Sequence, residues 1–200
     1  MAMSKKPSSH SLQSVLLALA FSTTFGTSTN ALSAEKQAVA IAIHGGAGTI
    51  RQELMSPEIE AEYRAILTKA ILAGHSILTT GGSSRDAVIA AISMMEDSPL
   101  FNAGYGAVFN HEGNIELDAS IMEGRSLNAG AVASLTRIKS PITLANAVLN
   151  HSPHVMLVGP GAEIFAQQQG IDLVSNDTFK TEHRRLQLER IIAQEQSVAR

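Results

Sequence analysis

The chain has 200 residues, a formal charge of −3, no cysteine and no tryptophan. That length suits one domain or part of a larger one, and so mild a charge supplies no electrostatic pull toward nucleic acid or an anionic membrane surface. Without cysteine there is no disulfide framework, thiol nucleophile or thiolate metal site, and with 4% aromatic residues the core has to be built from Ala, Val, Ile, Leu and Met, side chains that suit closely packed layers of sheet and helix.

Residues 1–33 carry the pattern of a secretory signal. Lys5 and Lys6 form the positive start, and Val15-Leu16-Leu17-Ala18-Leu19-Ala20-Phe21 is the apolar heart of the stretch Leu12–Phe25. Ala31-Leu32-Ser33 places small residues where a signal peptidase reads them, so cleavage is expected before Ala34. The apolar run is well short of the roughly 20 residues that span a bilayer, and Thr23, Thr24, Thr27, Ser28, Thr29 and Asn30 break it with polar side chains. The expected location is therefore the periplasm or the exterior, with no membrane attachment once the signal is gone and no cysteine to carry a lipid.

Ala38-Val39-Ala40-Ile41-Ala42-Ile43 is an unbroken apolar run delivering His44-Gly45-Gly46-Ala47-Gly48. Such a run bounded by glycines reads as a central strand buried on both faces. A strand feeding a glycine-rich turn also begins nucleotide cradles, but the Gly-Lys-Ser/Thr of a P-loop is missing and Arg51 stands where the dinucleotide pattern needs a third glycine. The glycines are better suited to backbone angles closed to other residues, presenting amide groups to a small ligand. His44, at a strand end, is by itself an ordinary structural histidine.

Ser56-Pro57-Glu58 is a helix start, and Ile59, Tyr63, Ile66, Leu67, Ala70 and Ile71 recur at helical spacing, with an end expected near Gly74. After the Gly81-Gly82 turn a second helix begins at Ser83-Ser84 and carries Ala87, Val88, Ala91, Ile92 and Met95 inward. Met94 and Met95 read as core methionines.

The organising stretch is Glu96–Gly124. Ser98-Pro99 turns the chain into the glycine-spaced loop Asn102-Ala103-Gly104-Tyr105-Gly106. Beyond it Ile115, Leu117, Ala119 and Ile121 point one way, while Glu116, Asp118 and Ser120 point the other. Ala107-Val108-Phe109 is the expected hairpin partner, closed at Asn110-His111-Glu112-Gly113 with Gly113 in the left-handed position. His111, Glu112 and Asp118 are residue types that bind transition metals, but a turn and a strand place them poorly for that. Ala129–Leu135 reads as a further strand buried on both faces. Pro141–His151 is a helix, Val155–Val158 a short strand, and Gly159-Pro160-Gly161 turns into a helix over Ala162–Gln169. Thr181–Ser197 is charged, with Leu188, Ile191 and Ile192 as its only stripe, and Arg184-Arg185 reads as a solvated face on a helix that frays into a linker.

HGGAG (44–48), PLFNAGYGAVF (99–109), ELDASIMEG (116–124), AGAVASL (129–135) and HVMLVGPGA (154–162) occur in that order. Together they resemble the plant-type L-asparaginases, or isoaspartyl peptidases, of the N-terminal-nucleophile hydrolases, over essentially all of Ala38–Leu188. The resemblance implies an α+β fold, a four-layer αββα sandwich shared between an α and a β subunit, of which this chain would hold the α-subunit half only. With the signal at 1–33 and the charged linker helix at 181–200, the α-subunit part that it implies is 34–180. In that family the precursor cuts itself, and the β subunit opens with a threonine whose hydroxyl is the nucleophile and whose amine is the base. The Gly-Thr-Val-Gly cleavage motif is not found in these residues, so the implied nucleophile lies beyond them and the chain alone is expected to be inactive.

The resemblance further assigns Asn102 to a place near the nucleophile and Gly46 to the active-site loop. It implies a structural sodium ion held by the backbone carbonyls of Met95, Glu96, Ser98, Phe101, Ala103 and Tyr105, with no organic cofactor. A hard monovalent cation wants several oxygen ligands, which a turn-rich loop can supply without charged side chains. The implied partners are the chain's own β subunit, giving an αβ heterodimer that pairs into (αβ)2, and a small-molecule substrate. The implied activity is hydrolysis of asparagine and β-aspartyl dipeptides. A non-catalytic periplasmic protein of the same fold, binding a small amino acid or a partner, is the competing reading.

Overall fold

A computed structural model describes residues 38–46 and 55–198. The expected signal at 1–33 and the Ala47-Gly48 end of the glycine motif lie outside the described residues. Among the described residues five helices and a three-stranded sheet succeed one another as α1 (Pro57–Thr79), α2 (Ser84–Glu96), β1 (Leu117–Met122), β2 (Ala129–Leu135), α3 (Pro141–His151), β3 (Met156–Val158), α4 (Gly159–Gln168), a 3-10 turn (Asn176–Phe179) and α5 (Glu182–Val198).

Both predicted helix starts are present, each for the expected reason. Ser56 Oγ accepts the Ile59 amide at 3.3 Å and Pro57 occupies the first turn. Ser83 Oγ accepts the Asp86 amide at 3.0 Å while donating to the Asp86 carboxylate at 2.7 Å, a reciprocal cap. The end of α1 differs from expectation, because the helix runs on to Thr79 and Gly74 is an interior, buried residue. A Cβ there would lie 2.4 Å from Ile41 Cδ1 and 2.8 Å from the Ala87 carbonyl oxygen. This glycine lets α1 approach α2; it does not stop the helix.

The sheet order is β1-β2-β3, antiparallel then parallel. Ile115, Leu117 and Ile121 are buried and Ala119 is half-buried, so the period of two in the sequence is the true pleat. Their hydrogen-bonding partner is β2; Ala107–Phe109 contributes only the single bridge Phe109↔Ile115. Asn176 substitutes for the rest of that hairpin. Its side chain accepts the Ile115 amide at 3.1 Å and donates to the carbonyls of Ile115 (2.8 Å) and Thr136 (2.9 Å). Between Leu117 and Ala119 the register slips by one residue at Ser134, which takes φ 53° and gives its amide to Asp118 Oδ1 at 2.8 Å. This is a bulge that bends β2.

The two segments expected to be buried on both faces are not. In β2, Gly130, Val132 and Leu135 are buried while the alternate residues are half-buried or exposed, because α3 and α4 cover one face. Among the described residues the other face, with Met122 62%, Met156 50% and Val158 53% exposed, has no covering layer. Ala38–Ile43 joins no ladder, and its side chains alternate between half-buried and exposed. Met94, expected inside, is 41% exposed at the end of α2. Helix α4 begins at Gly159 itself, φ 52°, ahead of the expected Ala162.

Opposite the open face the core gathers Ile115, Leu117, Val132, Leu135, Ile142 and Val148 with Phe179 of the 3-10 turn. Glu163 of α4 is buried beside it and satisfied threefold, its Oε1 accepting from the amides of Thr136 (2.8 Å) and Arg137 (3.0 Å) and the Thr136 hydroxyl (2.9 Å).

Candidate functional site

The loop between α2 and β1 is built backbone against backbone. Gly104 adopts φ 46°, and a Cβ there would fall 2.3 Å from the Glu96 carbonyl oxygen. Gly106 adopts φ 133° against the carbonyls of Pro99 and Phe101. Only glycine fits either position. The Tyr105 amide returns to the Glu96 carbonyl at 2.7 Å, which draws the loop back onto the end of α2. Its outer limb is fixed by α1, where Tyr63 donates to the Leu100 carbonyl at 2.7 Å and its ring meets Phe101 edge-on at 5.5 Å.

Asn102 stands exposed at the tip, and its Oδ1 accepts the Val108 amide at 2.9 Å. A backbone N–H can only donate, so the side-chain atom facing it is the oxygen and the NH2 group is turned away. That amide nitrogen makes no hydrogen bond among the described residues, which leaves a neutral donor on a rigid ring. Gly45 lies against Leu67 and Phe101, bringing the His44-Gly45-Gly46 segment and the Asn102 loop onto one apolar support. Gly46, φ 126°, turns its own amide toward His44 Nδ1 at 3.3 Å instead of presenting it outward.

Six carbonyls were expected to surround a cation. Those of Met95 and Glu96 already accept the Ser98 and Tyr105 amides, at 3.2 and 2.7 Å, and the Asp97 amide at the helix end also turns to Met95. Those of Ser98, Phe101, Ala103 and Tyr105 accept no hydrogen bond among the described residues, although Ser98 and Phe101 are buried. Buried carbonyls without partners are uncommon, and neutral oxygen donors of this kind suit a hard monovalent ion. The donor type suits the ion.

The Glu96 side chain does different work from its carbonyl. It is 4% exposed, with Oε2 accepting the Ser140 hydroxyl at 2.6 Å and Oε1 the Ile142 amide at 2.9 Å. Ser140 makes no cap of its own to α3; the carboxylate from α2 caps that helix in its place. Burial pushes the carboxyl above its usual range, and the hydrogen bonds from Ser140 and Ile142 oppose this. A cavity of about 280 Å³ is lined by Glu96, Asp97, Tyr105, Lys139, Thr178 and Phe179. It touches the loop but neither Asn102 nor Gly46.

The other metal reading finds no geometry. His111 Nε2 lies 3.2 Å from Glu195 Oε2, Asp118 is engaged with Ser134, and no group of three His, Cys, Asp or Glu side chains is placed to hold an ion among the described residues. Arg184, expected in a solvated face, is half-buried and donates from Nε to the Gly106 carbonyl at 2.7 Å. Arg185 does face solvent, paired with Glu182 and Glu189. Sequence reasoning missed the Glu96 carboxylate, although a signal was present. A carboxylate in the last turn of a helix opposes the helix dipole, so it is expected to serve another element.

A family model described as asparaginase matches residues 37–200. The chain is 47% identical over 148 residues to an isoaspartyl peptidase of Salmonella typhimurium, covering 74% of this chain and 47% of that protein. It is 45% identical to the isoaspartyl peptidase of Escherichia coli over 74% of this chain and 46% of that one. Against a plant-type L-asparaginase of Pyrococcus abyssi the identity is 48%, over 66% of this chain and 42% of that protein. The chain thus spans a little under half the length of these curated relatives. No helix among the described residues is long and apolar enough to cross a membrane.

Proposed function

The chain belongs to the asparaginase family, with the N-terminal-nucleophile hydrolase fold that membership implies, and on that premise we propose that it supplies the N-terminal, α-subunit part of an exported isoaspartyl peptidase and L-asparaginase. The substrates are asparagine and β-aspartyl dipeptides, whose side-chain amide is hydrolysed by acyl transfer to a threonine contributed from beyond these residues. The threonine hydroxyl adds to the amide carbonyl, the leaving amine takes the proton, and water then cleaves the ester. Residues 34–180 form the hydrolase part, and 181–200 lead toward the cleavage site.

The observation that carries this reading is the outward amide nitrogen of Asn102, held by the Val108 amide beside the His44-Gly45-Gly46 segment. A neutral, pre-aimed donor stabilises negative charge developing on a carbonyl oxygen without reorganising. The carbonyls of Met95, Glu96, Ser98, Phe101, Ala103 and Tyr105 hold a sodium ion, which supplies rigidity and no chemical step. The open sheet face receives a second sheet from the β half. Ala129, Ala131 and Ala133 keep that face low, so two sheets can approach to about 10 Å. The αβ unit then pairs into (αβ)2.

Two measurements test this. Residues 34–200 expressed alone should release no ammonia from asparagine, whereas co-expression with the C-terminal half of a related enzyme should restore release. Activity from the lone chain would sink the reading, since the nucleophile is assigned elsewhere. In the completed enzyme Asn102→Ala should lower turnover by about 100-fold while shifting the thermal midpoint by only a few degrees. Equal loss of folding and turnover would make Asn102 a turn residue and nothing more.

A further inference from the structure

Helix α5 fully buries none of its residues, and its stripe residues Leu188 and Ile192 are only half-buried, so its apolar packing is thin. Among its contacts with the rest of the chain are two polar ones, Glu195 to His111 and Arg184 to Gly106. The first is open to water, its side chains 66% and 57% exposed, and such pairs contribute little. The second is built differently. The Arg184 amide is held by Thr181 Oγ1 at 3.3 Å and its Nη1 by Gln187 at 3.0 Å, so the guanidinium arrives with a set orientation and half-buried.

Its target lies inside the ring that Asn102 closes. Between Asn102 and Val108 the chain passes through Gly104 and Gly106, both at positive φ. Glycine has the freedom to leave such angles as readily as to adopt them. The Gly106 carbonyl accepts only from Arg184 among the described residues. A charge-assisted hydrogen bond is roughly twice as strong as a neutral one. If that peptide turned, Ala107 and Val108 would turn with it, and the Val108 amide would leave Asn102 Oδ1.

We propose that Arg184 is a positioning residue for Asn102: by gripping the Gly106 carbonyl it keeps the ring shut and the Asn102 amide nitrogen aimed outward, coupling the order of the site loop to the docking of α5. What Asn102 then does for a substrate rests on the reading above; the clamp itself does not.

The test is amide hydrogen exchange on the full chain, monitored by NMR at single residues. Arg184→Ala should speed exchange of the Val108 amide at least about 10-fold while leaving the β1–β2 ladder unchanged, since local openings are independent of global unfolding. Arg184→Lys keeps the charge but loses the planar fork, and should fall between the two. If α5 amides loosen while Val108 stays protected, Arg184 merely anchors its helix and the proposal fails. An equal rise throughout β1 and β2 overturns it as well, because the whole fold has then loosened. No arm reads amidase activity, so the outcome is separate from whether the hydrolase reading holds.

Discussion

Gly130→Ala should destabilise the chain by about 3 kcal/mol, a large fraction of a domain's stability. Gly130 sits in β2 beneath α3, and an added Cβ would meet the Ala145 carbonyl oxygen at 2.2 Å, the Leu149 amide nitrogen at 2.5 Å and Leu149 Cβ at 2.8 Å. Two of those atoms are helix backbone, so no rotamer change can relieve the contact and α3 has to lift from the sheet. Lifting it uncovers Leu144 and Val148, both fully buried. Gly161→Ala in α4 is the control. Nothing lies within 4 Å of its Cβ position, and alanine in a helix should be neutral or stabilising by up to about 1 kcal/mol. Urea midpoints of the two variants measure the contrast. A loss under about 1 kcal/mol at Gly130 would mean that α3 slides on the sheet, a looser packing than described.

Glu96→Ala should cost about 2 kcal/mol, and Glu96→Gln well under half of that. The carboxylate joins the end of α2 to the start of α3, satisfying the Ile142 amide and the Ser140 hydroxyl while almost wholly buried itself. Alanine leaves the Ile142 amide without an acceptor and Ser140 Oγ with Thr143 Oγ1 as its remaining partner. Glutamine keeps an oxygen for Ile142 and turns an N–H toward Ser140 Oγ, which can then donate to Thr143 Oγ1 at 3.0 Å. Thermal unfolding of both variants, monitored by circular dichroism, checks the order. If glutamine costs as much as alanine, the negative charge itself holds α3, through the dipole of its first turn. The same residue offers its backbone carbonyl to Tyr105, a bond that either substitution leaves in place.

What was legible in the sequence is what local chemistry dictates. Ser56-Pro57 and Ser83 marked helix starts, the alternation Ile115 to Ile121 marked a half-buried strand, and Gly104 and Gly106 marked a glycine-spaced loop. The family was legible too, because five short motifs in fixed order are far more specific than any one of them. Gly74 was misread because glycine has two uses: in sequence it resembles a helix stop, and only the neighbouring α2 reveals that it is a point of close approach.

The sequence by itself determined the helices, the buried side of β1, the loop bearing Asn102 and the family. Only the tertiary structure decided the partnerships across distance. That β1 pairs with β2 and not with its nearer neighbour, and that Asn176 serves Ile115 from 61 residues away, are facts of the fold. The place of Glu96 at a helix end hints that it serves another element but not that α3 is the one, and the seating of Arg184 on Gly106, 78 residues away, has no trace in periodicity or spacing. The reason is physical. Propensity and pleat are properties of a few adjacent residues, whereas a buried polar group needs whichever partner the fold brings to it, and that partner has no fixed distance along the chain.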